Sequence, residues 1–412
     1  MVPANAQDKS FLGGDPPISL GGLYIHIPFC ETKCGYCDFY SLAVKDRDTS
    51  PLVSAVIREL ASRVSNAPVS IRTVFCGGGT PTVLPLPPLA RLMEAVKGVV
   101  AREPVIEFTV EANPATVEDV KARLLVDAGV TRVSMGAQSF FPGELATLER
   151  IHSPEDIAPS VKTLRRCGVT QINLDLIFGI PGQTGESWGE SLRRAIALHP
   201  DHIACYGLTY EPGTRLTSMR EHGRLAPCNE DLEADLYLYA VDALSDAGFE
   251  QYETSNFAKP GCRCEHNLIY WRNQPYIGVG PSAAGCYVGR RYKNIADVNG
   301  YVRMIESSGR AERESESISR DMLMLEMLMM QLRLVEGLSL RDFHERIGQD
   351  VDVVFGDVLH PLLAQSLLMK TKTHLALTRS GRLVADAVLR ELARVGSVGP
   401  RPPSSTSLPV LS

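Results

Sequence analysis

Residues 23–40 read LYIHIPFCETKCGYCDFY, and three cysteines stand at C-x3-C-x2-C spacing within this stretch. Cys30, Cys34 and Cys37 can converge on one metal centre only if the backbone loops around it. Gly35 permits such a turn, and Pro28 fixes the exit from the apolar run that precedes the first cysteine. The stretch therefore predicts a metal centre directly after a strand.

Three neighbouring thiols are compatible with more than one kind of centre. Iron–sulfur clusters are normally held by four thiolates, so a local set of three would leave one iron open to a small chelating ligand. A structural zinc site usually closes with a fourth Cys or His, but the next cysteine along the chain is Cys76. Three unrelated buried thiols are the remaining alternative. Cysteines clustered this closely usually bind metal or act in redox chemistry, so the spacing favours the cluster.

Length, charge and cysteine content narrow the class of protein. The 412 residues can bury a large core over two or three domains. The net charge of -6 argues against nucleic acid or an anionic membrane as the main partner, and no apolar run is long enough for a membrane span. Residues 1–20 lack the basic and apolar regions of a secretion signal, so the ten cysteines indicate reduced thiols in a cytoplasmic protein.

Strand-like and helix-like segments alternate over the first half of the chain. This alternation is typical of βαβ units with a parallel sheet, and six such units predict an α/β fold with a partial (β/α)6 barrel. Chemistry in such barrels occurs at the carboxyl ends of the strands, where Cys30, Glu111, Gln138 and Asp175 fall. The predicted strands are Gly22–Pro28, Thr73–Cys76, Glu107–Glu111, Arg132–Gly136, Ile172–Phe178 and His202–Leu208. The predicted helices are Pro51–Val64, Pro88–Val100, Val117–Asp127, Ile157–Cys167, Glu186–Leu198 and Asn229–Ala247.

The last part of the chain predicts a smaller module, whereas Tyr252–Tyr301 shows little regularity. Helices followed by a strand and a helix are typical of a winged-helix-like α+β module, and the balanced charge favours a lid or partner-docking role over DNA binding. The predicted elements are the helices Arg320–Leu334, Leu338–Ile347 and Val351–Lys370, the strand His374–Thr378 and the helix Gly381–Arg394. The predicted division is a flexible leader (1–20), the barrel (21–228), a connecting region (229–310), the C-terminal module (311–395) and a disordered tail (396–412).

Further polar motifs follow the predicted strands. Consecutive glycines in Cys76–Thr82 would let a ligand touch the backbone, although a tight strand-to-helix turn also explains them. Glu111 can bind an ammonium or a ribose hydroxyl, or can cap the next helix. Gln138 can bridge donors and acceptors, and Arg150 can form a bidentate pair with a carboxylate, although a lone helix arginine is usually solvated. Asp175 lies in an apolar run, where an unpaired carboxylate would be costly.

The segment Cys262–Trp271 reads CRCEHNLIYW. An imidazole is a common heme iron ligand, so His266 could bind heme while Tyr270 and Trp271 stack on the porphyrin. A hydrogen-bonded histidine packed beside two aromatic residues is the alternative, and side-chain chemistry alone favours it. Cys264 is a weaker candidate for a thiolate ligand.

C-x3-C-x2-C after an apolar strand resembles the radical S-adenosylmethionine (SAM) superfamily, in which three cysteines hold a [4Fe–4S] cluster and SAM chelates the fourth iron. YIHIPFC and YCDF within the opening stretch narrow the resemblance to the family of oxygen-independent coproporphyrinogen III oxidase (HemN) and the heme chaperone HemW. It covers residues 23–395 and implies that Cys30, Cys34 and Cys37 are the cluster ligands. The SAM contacts that it implies are Tyr24, Tyr36, Gly78, Gly79, Thr80, Glu111, Gln138, Arg150 and Asp175.

Two departures from the oxidase favour the heme chaperone branch. The oxidase has a fourth cysteine two residues after the third, where this chain has Phe39, and its long N-terminal arm is expected to be missing because Cys30 lies close to the start of the chain. H-N-x-x-Y-W resembles a signature linked to heme binding, which implies heme contact by His266. The resemblance implies a protein that delivers heme to apo-hemoproteins such as respiratory enzymes. The oxidase reaction, another radical SAM reaction and a homodimer stay open.

Overall fold

The computed structural model describes residues 19–396, so the predicted leader and tail lie outside the described residues apart from their innermost positions. The strands are β1 (Ser19–Ile27), β2 (Phe29–Cys30), β3 (Leu42–Ala43), β4 (Val69–Gly78), β5 (Glu107–Ala112), β6 (Arg132–Gln138), β7 (Gln171–Phe178), β8 (His202–Gly207), β9 (Glu250–Gln251), β10 (Asn256–Ala258), β11 (Tyr276–Val279), β12 (Ala284–Tyr287), β13 (Arg290–Asn294), β14 (Glu312–Ser317), β15 (Leu338–Ser339), β16 (Leu368–Lys370) and β17 (His374–Leu377). The helices are α1 (Ser50–Asn66), α2 (Leu86–Val100), α3 (Asp119–Asp127), α4 (Pro142–Thr147), α5 (Pro154–Cys167), α6 (Gly185–Ala197), α7 (Arg215–Glu221), α8 (Glu230–Asp246), α9 (Glu265–Trp271), α10 (Val298–Ser308), α11 (Arg320–Gln331), α12 (Leu340–Ile347), α13 (Val351–Ala364), α14 (Arg379–Leu383) and α15 (Ala385–Gly396).

The six predicted strands form the centre of one sheet. They pair in parallel in the order β1-β4-β5-β6-β7-β8, and helices lie between them in the chain. Leu23, Ile25 and Ile27 alternate along β1 and are fully buried, as expected for an apolar strand covered by helices. The α/β prediction of a partial (β/α)6 barrel and the prediction of each of its strands are confirmed.

Local sequence signals begin and end the barrel helices. Thr184 Oγ1 accepts a hydrogen bond from Ser187 N at 3.1 Å and so satisfies one free amide at the start of α6. Gly168 follows α5 with φ of 103°, a left-handed conformation that glycine adopts without steric cost.

The connecting region extends the barrel sheet, which the sequence did not indicate. β11 pairs in parallel with β1, and β12, β13 and β14 continue the sheet with antiparallel pairing. On the other side, β10 and β9 follow β8. These strands are short and are interrupted by turns at Gly280 and Gly289, both at positive φ, so the two-residue periodicity of a strand is hard to recognise. The residue limits of the domains stay a prediction.

The C-terminal module has its own apolar core and a three-stranded antiparallel sheet in the order β15-β17-β16. Met324 and Met327 of the methionine-rich α11 are buried in this core. The prediction of one helix over Val351–Lys370 is wrong beyond Ala364, because the chain turns at Ser366, with φ of 55°, and then forms β16. Its apolar residues continue through the turn, which conceals the change of element.

Within residues 19–396, no helix combines the length and the apolar character needed to cross a membrane.

Candidate iron–sulfur and cofactor site

The three cysteines lie on the loop that follows β1, at the carboxyl edge of the barrel. Cys30 ends β2, and Cys37 N donates a hydrogen bond to Cys34 O at 3.3 Å, which closes the turn containing Gly35. All three thiols are half-buried and free. In the described part of the chain, no three His, Cys, Asp or Glu side chains are arranged to hold one metal ion. A cluster is compatible with this arrangement, because each thiolate would bind a different iron.

The surroundings of the thiols fit thiolates that are bound to a metal centre. Burial raises the pKa of Cys30 and raises the pKa of Cys37 to about 12. Thiols with raised pKa values stay protonated near neutral pH unless a metal stabilises the thiolate. Arg150 Nη1 donates to Cys34 Sγ at 3.5 Å. The donor set and its electrostatics therefore fit a [4Fe–4S] cluster.

Arg150 links the cluster loop to the end of β6. Its Nη2 donates to Gly136 O at 2.7 Å, whereas its Nε is buried without a hydrogen-bond partner. A buried donor without a partner is costly, so this guanidinium fits an acceptor that a ligand supplies. Gln138 lies beside it at φ of 63°, a strained conformation for a residue other than glycine. A Cβ on Gly136 would lie 2.7 Å from Gln138 Nε2, so this glycine lets the two side chains approach β6.

The consecutive glycines of Cys76–Thr82 pack against β2. Thr80 N donates to Phe29 O at 2.7 Å, and a Cβ on Gly79 would lie only 2.4 Å from the same carbonyl oxygen. Gly78 N donates to Glu111 Oε2 at 2.9 Å. Close approach within the protein therefore explains the glycines, as the turn alternative predicts. The SAM contacts of Gly78, Gly79, Thr80 and Glu111 stay predictions.

Asp175 has partners inside the protein. Its carboxylate accepts hydrogen bonds from Asn173 Nδ2 at 2.6 Å and from Ser134 Oγ at 3.4 Å. Burial raises its pKa, while these two donors oppose the shift. Ligand hydroxyls are therefore not required to satisfy it, which corrects the expectation of an unpaired carboxylate. Tyr24 contacts His26 through its hydroxyl at 2.9 Å. The SAM contacts of Tyr24, Tyr36, Gln138, Arg150 and Asp175 stay predictions.

A small cavity beside the cluster loop brings part of the predicted set together. Its lining includes Cys30, Cys34, Thr80 and Arg150. Sequence reasoning missed the other lining residues, although Asn113 lies only two positions after Glu111. The additional lining residues are Glu31, Thr32, Asn113, Thr116 and Ile151.

His266 lies toward the amino-terminal ends of the strands, away from the cysteines. Its fully buried ring stacks on Phe75 with centroids 5.2 Å apart. Its Nδ1 lies 2.7 Å from Thr73 Oγ1, and its Nε2 lies 3.0 Å from the Tyr270 hydroxyl. Both nitrogens are engaged, which favours the alternative of a hydrogen-bonded core histidine. Ligation of heme iron by His266 would require displacement of α9, so this prediction lacks support in the described conformation.

The helix α9, which contains the H-N-x-x-Y-W motif, joins the barrel to the C-terminal module. The Glu107 carboxylate, on the first residue of β5, accepts hydrogen bonds from two amides at the start of α9 at 2.8 and 3.1 Å. At the other end, the Arg346 guanidinium donates to Arg272 O at 3.2 Å and to Asn273 O at 3.0 Å. The motif is thus part of the contact between the two cores.

Replacing His266 by phenylalanine is expected to lower the free energy of unfolding by about 1–3 kcal/mol near neutral pH, because two buried hydroxyls lose their partner. Burial lowers the pKa of His266 to about 3, whereas the unfolded chain binds the proton below about pH 6.5. Wild-type stability therefore falls, relative to the variant, as the pH decreases from about 6.5 toward 3. The difference between the two proteins should shrink by about 2 kcal/mol at about pH 5.

Urea unfolding at several pH values measures this difference. His360→Phe is the control, because His360 is exposed on α13. A difference between wild type and His266→Phe that does not change with pH would contradict the buried neutral imidazole.

Comparison with known proteins extends over both parts of the chain. The model of the Radical SAM superfamily matches residues 24–195, and that of the HemN C-terminal domain matches residues 318–384. Heme chaperone HemW of Bacillus subtilis (strain 168) is 34% identical over 367 residues, which cover 89% of this chain and 97% of that protein. Heme chaperone HemW of Escherichia coli (strain K12) is 36% identical over 385 residues, which cover 91% and 97%.

A solved structure shows the same fold. Coproporphyrinogen III oxidase (HemN) from Escherichia coli, a radical SAM enzyme, aligns with a TM-score of 0.77 at 22% identity over 93% of this chain and 91% of that one. Radical SAM membership implies a [4Fe–4S] cluster and SAM, which the cysteine loop fits. The chain therefore belongs to the radical SAM superfamily and, within it, to the family of the heme chaperone HemW.

Proposed function

We propose that this chain is a heme chaperone, which binds heme and passes it to apo-hemoproteins such as respiratory enzymes. The similarity to HemW proteins over nearly their full length supports this function most directly. Phe39 stands where the resemblance places a fourth cysteine in the oxidase, which supports the chaperone over the oxidase. The ten free cysteines support a reducing compartment, the cytoplasm.

The cysteine loop would hold the cofactors of this protein. Cys30, Cys34 and Cys37 are the proposed ligands of a [4Fe–4S] cluster, which would supply an electron, and SAM bound beside it would accept that electron and supply radical chemistry. The unpartnered Nε of Arg150 supports its proposed contact with the SAM carboxylate.

Heme titration of anaerobically reconstituted protein tests the function. We expect a saturable change in the heme absorption band, followed by transfer to an apo-cytochrome that is faster than transfer from free heme. Heme binding that does not saturate, or transfer no faster than from free heme, would reject the chaperone.

The oxidase reaction is tested separately. Anaerobic incubation with coproporphyrinogen III, SAM and a reductant is expected to give no protoporphyrinogen IX. Formation of that product in more than one turnover would replace the proposed function by the enzymatic one.

A further inference from the structure

A second depression lies on the outer side of the cluster loop and has a basic lining. It has a volume of about 240 Å³ and is lined by Arg215, Ser218, Met219, His222 and Arg224. None of these lining residues carries a carboxylate. We name this site the basic depression. The Arg215 side chain is 71% exposed, and Arg224 is exposed and makes no ion pair within the described residues.

The basic depression is directly connected to the cluster loop. Leu216 N, in α7, donates to Gly35 O at 2.8 Å, in the turn between two of the cluster cysteines. Arg215 Nη1 lies 2.9 Å from Glu149 Oε1. The same carboxylate packs against Gly35, where a Cβ would lie 2.9 Å from Glu149 Oε2. The next residue, Arg150, donates to Cys34. A ligand that competes with Glu149 for Arg215 would therefore act on the loop.

A small buried apolar cluster includes Leu216 of α7, and an unsatisfied polar group lies beside this cluster. Leu148, Ile177 and Leu216 belong to one buried cluster, against which Tyr210 packs. The Tyr210 hydroxyl is buried without a hydrogen-bond partner, and Arg220 lies over its ring at 4.4 Å from the centroid. Exposed basic groups beside the half-buried side chains of Met219 and Tyr210 match an amphiphilic ligand with anionic groups on one edge.

We infer that the basic depression binds the carboxylate side chains of the porphyrin. This inference rests on the proposed heme chaperone function and adds the position of the ligand. A carboxylate pairs with an arginine fork through two parallel hydrogen bonds. The volume of about 240 Å³ is below the roughly 300–1,000 Å³ of sites that enclose a whole ligand. The basic depression therefore accepts the carboxylate edge, and the ring lies outside it.

The test compares heme with heme dimethyl ester, in which both carboxylates are neutral. Wild-type protein is expected to bind heme about tenfold more tightly than the ester, as is typical for one charge-assisted hydrogen bond. Arg215→Gln/Arg224→Gln is expected to abolish this preference, and Arg224→Gln, which breaks no ion pair, is expected to reduce it while its iron content stays at the wild-type level. Arg193→Gln, on an exposed residue of α6, is the control for Arg224→Gln, and Arg193→Gln/Arg341→Gln is the control for the double variant because it removes two charges from exposed residues.

The outcomes separate the two proposals. Wild-type protein that binds neither compound would reject heme binding itself. Wild-type protein that binds both equally, or a double variant that keeps the preference, would overturn the basic depression as the carboxylate site and leave the chaperone function standing. The single variant Arg224→Gln gives an independent reading, because Arg224 makes no ion pair whose loss could disturb the fold.

Discussion

Replacing Cys34 by alanine is expected to abolish the brown chromophore and nearly all bound iron in anaerobically reconstituted protein. In the proposed site, Cys30, Cys34 and Cys37 would supply all of the protein ligands of the [4Fe–4S] cluster, so the loss of one thiolate would leave only two. The half-buried turn around Cys34 offers Arg150 and backbone groups in its place, and none of these is an iron ligand. Iron and sulfide quantification, together with visible absorption, measures the loss.

Cys167→Ala provides the matched control. Cys167 ends α5, is also half-buried and contacts Asp119 O at 3.9 Å through its sulfur. We expect this variant to keep the wild-type iron content. If Cys34→Ala also kept its iron, Cys34 would be removed from the proposed ligands.

Replacing Glu59 by alanine is expected to lower the free energy of unfolding by about 3–5 kcal/mol, as is typical when one partner of a buried ion pair is lost. Glu59 is fully buried in α1. It accepts hydrogen bonds from Arg63 Nε at 3.0 Å, the Tyr301 hydroxyl at 2.7 Å and Gly280 N at 2.9 Å, and also from Asn294. These partners lie in the connecting region or on α1, so one carboxylate holds the added strands to the barrel.

Urea unfolding followed by circular dichroism measures this loss. Glu94→Ala is the control on the exposed face of α2, and we expect it to change the free energy of unfolding by less than about 0.5 kcal/mol. A Glu59→Ala midpoint no lower than that of the control would show that the buried network contributes nothing to stability.

The periodicity of the sequence already indicates that Glu59 lies on the buried face of a helix. Leu52, Val56, Glu59 and Arg63 recur at helical spacing, so the two charged residues lie on the apolar face of α1. Apart from each other, their hydrogen-bond partners are more than two hundred residues away, and no local pattern identifies them. The charged pair could therefore have been placed on the buried face from the sequence, but its role in joining the connecting region could not.

For the H-N-x-x-Y-W motif, the sequence pointed to a role that the folded contacts do not support. The residue types suit heme ligation, and the resemblance favoured it. Hydrogen-bond partners decide between a ligand and a core histidine, and for His266 these are Thr73 from β4 and Tyr270 from its own helix. Thr73 is distant in sequence, so only the folded chain could show that both ring nitrogens are engaged.

The sequence by itself determined the cysteine loop, the six parallel strands and the family, because each depends on neighbouring residues: thiol spacing, apolar runs and turn glycines. Tertiary structure alone decided the extension of the sheet, the burial of α9 and the assembly of the basic depression beside Gly35. These features depend on contacts between segments that are far apart in the chain. The free energy of such a contact depends on both segments, so neither segment alone predicts it.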